Sequence, residues 1–472
     1  MKKAISLIAG PVLLALAILL LPESLFSFEA RASVGLVLWM GCWWITMPVA
    51  VGVTALLPII INAIFGLVPM GSVISKYFSE IVVLLLGAEI IALTWEETGL
   101  DKRISLKVLC VIGTSIRQQI AVWFVFSAVL SMLLPNAVVC AIMTPLALSM
   151  LRYTGEGDIS KSKIAPLILV SIAWGAGIGG LGTPMGGAMN LVAVDYLEQI
   201  TGSEFMYGTW AVRLVPFLVV IVLVDLLYLF LIRPKSAKLG GSAAFFRQSY
   251  RELPKMDWDE AWSLGLFCAA TVLAFARPLY EKILPDMKPA YVFLTMSIIA
   301  FLIPRKRGEE KAQLINWKKV EKGASWGLFY LFAGGLAAGT LISDTGAADA
   351  IAQCVSGLNL DGGLLTIFIF VVFTVVLAEI ASNTAAAAIA VPVIVGITQQ
   401  QGLDPVPYIY ITAAAFNCAY ILPTSIRAIP VGHGLNPGYM MKNGIVLTAL
   451  GITVITILGY LALRFWPAFS LA

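Results

Sequence analysis

The fold of this chain is decided by one stretch, Ala378-Glu379-Ile380-Ala381-Ser382-Asn383-Thr384-Ala385. It lies inside an apolar run from Leu364 to Ile397, which is too long for a single membrane helix of about 20 residues. Polar side chains in the middle of such a run usually face protein or a water-filled cavity and mark a substrate or ion path. The stretch therefore predicts a helical hairpin with a polar tip, and the small residues after the tip allow close helix packing.

The composition places the rest of the chain in the membrane as well. Of 472 residues, 60% are hydrophobic and 12% are charged, which excludes an ordinary soluble domain. We therefore expect an all-α polytopic protein of the plasma (inner) membrane. The basic residues stand in short connectors, as the positive-inside rule expects, and we predict no nucleic-acid partner.

The use of cysteine and histidine argues against an enzyme. The six cysteines are scattered without metal-ligand spacing, and we interpret them as small core residues. His433 is the only histidine, which disfavours histidine catalysis and multi-histidine metal sites. A local nucleophile with a base, or a local pair of carboxylates, is not evident either. We predict a protein that is not an enzyme and needs no cofactor.

Hydropathy predicts about 11 membrane spans and two re-entrant hairpins. Residues 1–32 are predicted as an N-terminal span and connector, although Ala30-Arg31-Ala32 also resembles a signal-peptide cleavage site. The later spans and hairpins are expected near 33–50, 52–69, 79–98, 108–151, 164–202, 209–232, 262–278, 289–304, 323–343, 360–400, 406–432 and 443–466. The hairpins are 108–151, with Asn136 at its tip, and 360–400, with Asn383 at its tip.

Two further features follow from this order. A glycine-rich stretch makes an unbroken helix over 164–202 unfavourable. A cytoplasmic N-terminus brings every major basic cluster to the cytoplasmic face, including the linker 233–258. The same topology places the C-terminus outside.

The two halves of the chain repeat at a constant offset. Thr98-Gly99 and Thr345-Gly346 are 247 residues apart, and so are Asn136 and Asn383. We therefore divide the chain into a first repeat, 33–232, and a second repeat, 259–472, on either side of the linker. An odd number of spans between the halves predicts that they lie inverted in the membrane. Inverted repeats with broken helices at the midplane are typical of secondary transporters.

Four motifs stand in order along the chain: Trp43-Trp44-Ile45-Thr46, Thr54-Ala55-Leu56-Leu57-Pro58, Thr98-Gly99-Leu100-Asp101-Lys102-Arg103-Ile104 and Ser382-Asn383-Thr384. Together they resemble the divalent anion/sodium symporter family, from about residue 33 to the end. The resemblance implies a homodimer whose protomers each have a scaffold domain and a transport domain that moves as an elevator. It also implies that the hairpin tips and the loops near 180–190 and 422–429 hold sodium and a dicarboxylate, a tricarboxylate or sulfate.

The chain departs from the family pattern at the binding motifs. The first tip reads Pro135-Asn136-Ala137 where the family usually has Ser-Asn-Thr, and Ser131 about one turn earlier offers a hydroxyl. Of the usual Thr-Pro-Pro-Asn in the first loop, only Asn190 is kept, and Ala378 stands where a threonine is common. Because oxygen ligands are depleted in both halves, sodium coupling and sodium-independent exchange are alternatives, and we slightly favour exchange or altered coupling.

The candidate site residues are side chains that can replace the hydration shell of an ion. We predict that the substrate is bound by Asn136, Asn190, Asn383, Thr384, Thr424, Ser425 and Arg427. The candidate sodium ligands are Ser131, Asn136, Thr183, Ser382 and Asn383. An alternative role for Asn190 is to cap the helix that resumes after the first loop.

Three ionisable residues stand inside apolar segments. Arg427 either enters the site, where it replaces a sodium ion or pairs with a substrate carboxylate, or it snorkels to the interface or pairs with a distant acid. Glu379 either ties the hairpin to its neighbours, which we favour, or couples protons. Asp225 is interpreted as a structural partner.

These observations predict a secondary active transporter of small divalent organic anions, similar to C4-dicarboxylates. We expect an elevator mechanism that is sodium-coupled or exchanging. The alternatives are an anion channel, since some channels share inverted repeats with broken helices, and a carrier for anions of the citrate or sulfate type. The expected partners are the anionic substrate, the lipid bilayer and a second copy of the chain in a homodimer.

Overall fold

The protein is α-helical throughout the part that the computed structural model describes, which is residues 2–159, 161–234, 239–306, 312–355 and 360–470. Within these ranges an isolated β-bridge joins Pro304 to Gln313, and no strand is present. The predicted all-α class is therefore confirmed. Residues 235–238 of the predicted linker lie outside the described ranges.

The N-terminal region consists of helices α1 (Lys2–Leu20), α2 (Phe28–Thr46), α3 (Val51–Thr54), α4 (Leu57–Phe65) and α5 (Met70–Ile74). The structure differs here from the prediction of one span over 52–69, because α3 and α4 are separate helices. Pro58 stands in the first turn of α4, a position that suits proline at a helix start but not inside a continuous helix. The carbonyl of Ala55 at the break accepts a hydrogen bond from the Tyr77 hydroxyl.

The first predicted repeat continues with α6 (Glu80–Thr98), α7 (Leu100–Leu109), α8 (Ile116–Ser131), α9 (Asn136–Tyr153), α10 (Ala165–Gly179), α11 (Ala188–Thr201) and α12 (Tyr207–Ile232). Helices α8 and α9 form a helical hairpin at the predicted place. The predicted interruption of the span 164–202 is also present. After α10 a single 3₁₀ turn covers Gly180–Gly182, and the α-helix resumes at Ala188.

The predicted linker contains α13 (Ser242–Arg251), and the second predicted repeat begins with α14 (Trp258–Phe275), α15 (Arg277–Tyr280), α16 (Pro289–Leu302) and α17 (Trp317–Gly323). Helix α13 belongs to the predicted linker and is docked on the first hairpin. Its Phe246 ring lies 5.9 Å from the Trp123 ring of α8, and the Ser242 hydroxyl accepts a hydrogen bond of 2.9 Å from Gln119. The linker is therefore partly an ordered, packed segment.

The second predicted repeat continues with α18 (Trp326–Asp344), α19 (Ala347–Val355), α20 (Leu364–Ile380), α21 (Asn383–Gln400), α22 (Val406–Asn417), α23 (Ala428–Gly432) and α24 (Pro437–Phe465). Helices α20 and α21 form the second hairpin. Helices α9 and α21 begin at Asn136 and Asn383 and end at Tyr153 and Gln400, and both pairs of bounds are 247 residues apart. The second arms of the two hairpins thus follow the offset seen in the sequence. The inverted orientation of the halves stays a prediction.

Two groups of helices surround the hairpin tips. In the first group, α8 packs against α10, α11 against α21 and α22, and α12 against α24. In the second group, α6 packs against α14 and α16, and α18 packs against α2 and α3. The two groups meet at contacts such as those of α18 with α21 and of α6 with α11.

Six of the described helical stretches are long and apolar enough to cross a membrane: Met70–Thr98, Asn136–Tyr153, Ala165–Gly182, Tyr207–Ile232, Trp326–Asp344 and Pro437–Phe465. Shorter apolar helices accompany them, including the first arms of both hairpins, Ile116–Ser131 and Leu364–Ile380. These helices support a polytopic membrane protein. The number of 11 spans and the sides of the two termini stay predictions.

The contact between α8 and α10 depends on small residues spaced four apart on one face of α10. A Cβ atom on Gly175 would lie 2.4 Å from the carbonyl oxygen of Phe124, and one on Gly179 would lie 2.1 Å from that of Ala128. Such distances require direct backbone contact, which only glycine permits. The two glycines therefore hold the first hairpin against the interrupted helix.

We expect Gly179→Ala to destabilise the protein by about 3 kcal/mol, because the new methyl group would overlap the backbone of α8. The midpoint of thermal unfolding of purified protein in detergent measures this effect. Gly265→Ala is the matched control, because a Cβ atom at that position in α14 meets nothing within 4 Å. Equal midpoints for the two variants would contradict the packing argument.

Candidate functional site

Both hairpin tips line one small cavity. It has a volume of about 130 Å³ and receives Asn136 from the first tip, Asn383 and Thr384 from the second tip, and Ser425 from the loop after α22. The opposite wall is formed by residues of α6, α14 and the start of α18. The structure thus brings four of the predicted substrate-binding residues together, at the boundary between the two helix groups.

A larger cavity is less suited to an anion. It has a volume of about 670 Å³ and lies between α2 and the second hairpin, where apolar side chains such as Leu38, Phe373 and Ile389 line it. Its lining residues provide no side-chain amide, alcohol or charge to replace the hydration of an anion. We therefore take the smaller cavity as the candidate site.

Three helices begin at the wall of the small cavity. Helix α9 begins at Asn136, α11 at Ala188 and α21 at Asn383, and all three residues line the cavity. No side chain caps the start of α9 or of α11, so backbone N–H groups in their first turns lack intrahelical partners. The partial positive charge at helix N-termini favours an anion in such a place.

The second tip combines a capped helix with an unpaired amide. The hydroxyl of Ser382, a predicted sodium ligand, accepts a hydrogen bond of 3.2 Å from the N–H of Ala385 and so caps α21. The Oδ1 atom of Asn383 is buried and has no hydrogen-bond partner among the described residues. A buried amide oxygen normally has a partner. This oxygen is an acceptor and suits a cation or a hydrogen-bond donor, whereas the Nδ2 group of Asn383 is the donor that an anion requires.

The backbone of Ser425 has an unusual conformation at the cavity wall. Its φ angle is 52°, in the left-handed region that non-glycine residues rarely adopt. Such conformations are energetically unfavourable and cluster at functional sites. The loop after α22 therefore presents Ser425 to the cavity in a constrained conformation.

Three predicted site residues, Asn190, Thr183 and Ser131, lie behind the cavity wall at the first helix break. The side-chain amide of Asn190 donates hydrogen bonds of 2.7 Å to the carbonyl of Gly180 and 2.8 Å to that of Thr183. Thr183 donates from its hydroxyl to the carbonyl of Met132 at 2.6 Å. Asn190 and Thr183 are not among the residues that line the cavity. Asn190 therefore binds two carbonyls at the break, of which that of Thr183 also accepts from the N–H of Gly186. Its predicted contact with the substrate stays a prediction.

Ser131 supports the same break from the first hairpin. Its hydroxyl donates a hydrogen bond of 2.7 Å to the carbonyl of Ala176 in α10. Across the molecule, the amide of Asn417 donates to Oδ1 of Asn190 at 3.1 Å. The two interrupted helices, α10–α11 and α22, are therefore joined to each other through a pair of buried asparagines.

The second break is held by a buried carboxylate. Glu379 accepts hydrogen bonds from the N–H groups of Tyr420 at 2.6 Å, Ile421 at 3.0 Å and Leu422 at 3.1 Å. The hydroxyl of Thr448 in α24 donates to the same carboxylate at 2.9 Å. These contacts agree with the predicted role of Glu379 in tying the hairpin to its neighbours.

Arg427 completes the second break. The guanidinium donates hydrogen bonds of 2.6 Å to the carbonyls of Ala419 and Leu422 and of 2.8 Å to the hydroxyl of Thr424. It lies 3.8 Å from the Glu379 carboxylate. Neither Arg427 nor Thr424 is among the residues that line the cavity. In this structure the two side chains therefore bond to the break and to each other, and their predicted contact with the substrate stays a prediction.

Asp225 pairs with a residue of the same break. One of its carboxylate oxygens accepts a hydrogen bond of 2.9 Å from the Tyr420 hydroxyl. The Asp225 side chain is buried within α12. The contact agrees with the structural role that we predicted.

Sequence reasoning missed two polar residues of the cavity wall, Glu89 in α6 and Ser325 at the N-terminus of α18. The carboxylate of Glu89 accepts a hydrogen bond of 2.7 Å from the N–H of Ser325. The signal for Glu89 was present, because it is an acid inside an apolar span, as Glu379 is. Ser325 lies at a helix boundary and carries no comparable signal.

Comparison with known proteins gives one family for most of the chain. The family model described as Citrate transporter matches residues 41–415. The chain is 29% identical over 470 residues to the sodium-dependent dicarboxylate transporter SdcS of Staphylococcus saprophyticus, covering 97% of this chain and 90% of the relative. It is 28% identical over 443 residues to SdcS of Staphylococcus aureus, covering 91% and 85%.

A solved structure has a similar fold. The crystal structure of the YdaH transporter of Alcanivorax borkumensis matches with a TM-score of 0.51 and 13% sequence identity, covering 84% of this chain and 88% of that chain. At this identity the match concerns the arrangement of helices alone.

We expect Glu379→Gln to destabilise the protein by about 3 kcal/mol, because the change leaves the buried guanidinium of Arg427 without its counter-charge. The thermal unfolding midpoint in detergent is the measurement. Glu23→Gln serves as the control, because the Glu23 side chain is 82% exposed in its pair with Arg31 and such pairs contribute little. A midpoint for Glu379→Gln equal to that of the control would refute the role of the carboxylate.

Proposed function

We propose that this chain, which belongs to the citrate transporter family, is a secondary transporter of di- or tricarboxylate anions. The observation that carries the proposal is the convergence of three helix N-termini and two asparagine side chains on one small cavity. Such a set replaces the hydration of a carboxylate by neutral donors and helix dipoles. The relatives in Staphylococcus are named as dicarboxylate transporters, which supports the same class of substrate.

Within this class we favour a C4-dicarboxylate over citrate or sulfate. The cavity of about 130 Å³ is small compared with typical ligand sites of about 300–1,000 Å³, which favours a small anion over a bulky tricarboxylate. The names of the Staphylococcus relatives favour a dicarboxylate and sodium as the coupling ion. Citrate stays the runner-up because the family model carries that name.

The packing supports an elevator mechanism. The cavity lies between the helix group of α8–α12 with α20–α24 and the group that contains α6, α14 and α18. If the first group is the transport domain and the second belongs to the scaffold, sliding of one group past the other carries the site across the membrane. A homodimer formed through the scaffold, with a cytoplasmic N-terminus, completes the proposal.

Counterflow in proteoliposomes tests the proposal. Vesicles that are preloaded with succinate should accumulate labelled succinate, and excess citrate or sulfate in the bath should compete weakly. A sodium titration of uptake separates symport from exchange. Single-channel currents without counterflow would instead indicate an anion channel, and a lack of both would refute transport of this substrate class.

We expect Asn136→Ala and Asn383→Ala each to reduce succinate uptake about tenfold or more, because each variant loses an amide that replaces water around the anion. Initial rates in proteoliposomes at equal protein content provide the measurement. Asn443→Ala is the control, because that amide lies in α24 and accepts a hydrogen bond from Tyr228, outside the cavity. Unchanged uptake by both cavity variants would rule out this site.

The carboxylate of Glu89 gives a second expectation. A negative charge on the cavity wall opposes a bound anion, so Glu89→Gln should lower the succinate concentration for half-maximal uptake about tenfold. Glu96→Gln is the control, because Glu96 lies on the same helix but not on the wall of this cavity. A higher half-saturating concentration in Glu89→Gln would contradict the electrostatic argument.

A further inference from the structure

The guanidinium of Arg427 occupies a cluster of oxygen atoms inside the protein. It donates to the carbonyls of Ala419 and Leu422 and to the hydroxyl of Thr424, and the carbonyl of Ala378 lies 3.4 Å from Nη2. The residue is 2% exposed. These oxygens surround three different nitrogen atoms of the guanidinium. Backbone carbonyls at helix breaks are the type of ligand that sodium takes in transporters.

The origin of these oxygens explains why a cation is favoured there. Ala378 lies in the last turn of α20, and Ala419 follows the end of α22 at Asn417. The C-terminal carbonyls of a helix lack intrahelical partners and carry partial negative charge. Two helix C-termini therefore meet at this place, and the nearby carboxylate of Glu379 adds a full negative charge.

At the first break, a neutral side chain and not a charged one donates to the backbone carbonyls. There the neutral amide of Asn190 donates to the carbonyls of Gly180 and Thr183. The two halves therefore differ in one respect that matters for ion coupling. One break contains a covalently attached cation, and the other contains a neutral donor.

We propose that the Arg427 guanidinium is a tethered cation that takes the place of one coupling sodium ion at the second helix break. This inference rests on the proposed function. Because the positive charge is part of the protein, it crosses the membrane with the site in both directions and is never released. Sodium coupling, where it occurs, is then restricted to the first half, near Ser131 and Asn136.

The test compares wild type with Arg427→Asn in sodium chloride and in potassium chloride, without substrate. Thermal unfolding in detergent reports sodium binding directly, because a ligand that binds the folded state raises the midpoint. We expect the variant to gain a sodium-specific rise of about 5 °C or more over any rise in wild type. In proteoliposomes, the Hill coefficient for sodium in succinate uptake should increase by about one.

Two further variants make the result decisive. Arg427→Lys keeps a tethered charge and should respond to sodium as wild type does. The double variant Glu379→Gln with Arg427→Gln removes both charges, so neither is left unpaired, and it should still gain sodium-dependent stabilisation if Arg427→Asn fails to fold.

A folded Arg427→Asn protein whose midpoint responds to sodium as wild type does would overturn the proposal. Failure of both charge-removing variants to fold in either salt would overturn it as well, since sodium would then be unable to replace the guanidinium. These outcomes are independent of the proposed transport activity, because the thermal measurement requires no substrate. Loss of counterflow in wild type would refute the function while leaving the cation measurement valid.

Discussion

The structure depends on the hydrogen bonding of backbone groups at two helix breaks. Inside a bilayer, water does not reach such groups, so the protein itself must provide every partner. Asn190 does this for the carbonyls of the first break. At the second break, Glu379 accepts hydrogen bonds from backbone N–H groups, and Arg427 donates hydrogen bonds to backbone carbonyls. Because the breaks are fixed in this way, the helix starts and tip asparagines keep their positions at the cavity wall.

The polar residues of the two breaks and tips fall into two sets with different tasks. One set, which includes Asn383 and Ser425, faces the cavity. The other set, which includes Ser131 and Thr183, donates to backbone carbonyls near the first break. Both sets look alike in a sequence, because each is a polar side chain in an apolar segment. The membrane makes polar groups costly for either purpose, so polarity identifies the region of the site but not the residues that contact a ligand.

The sequence was sufficient to predict the helical class, both hairpins and the break after α10, because these depend on hydrophobic run length, on polar residues within the runs and on glycine content. It was insufficient to place the Arg427 side chain, which is long and has many possible directions, and which donates to the carbonyls of Ala419 and Leu422 at the break. The division of the predicted span 52–69 into α3 and α4 could have been predicted from Pro58. The packing of α13 against Trp123 could not have been predicted, because it joins surfaces that are distant in the sequence.

The apolar cavity between α2 and the second hairpin has a mechanical consequence. Its walls are hydrocarbon side chains such as Leu38 and Phe373, and contacts between such groups are non-directional and individually weak. A displacement of the hairpin along α2 would exchange one apolar contact for another among these lining residues. Across this cavity the hairpin is held by non-directional contacts, whereas the polar network of the breaks fixes it to the helices on its other side.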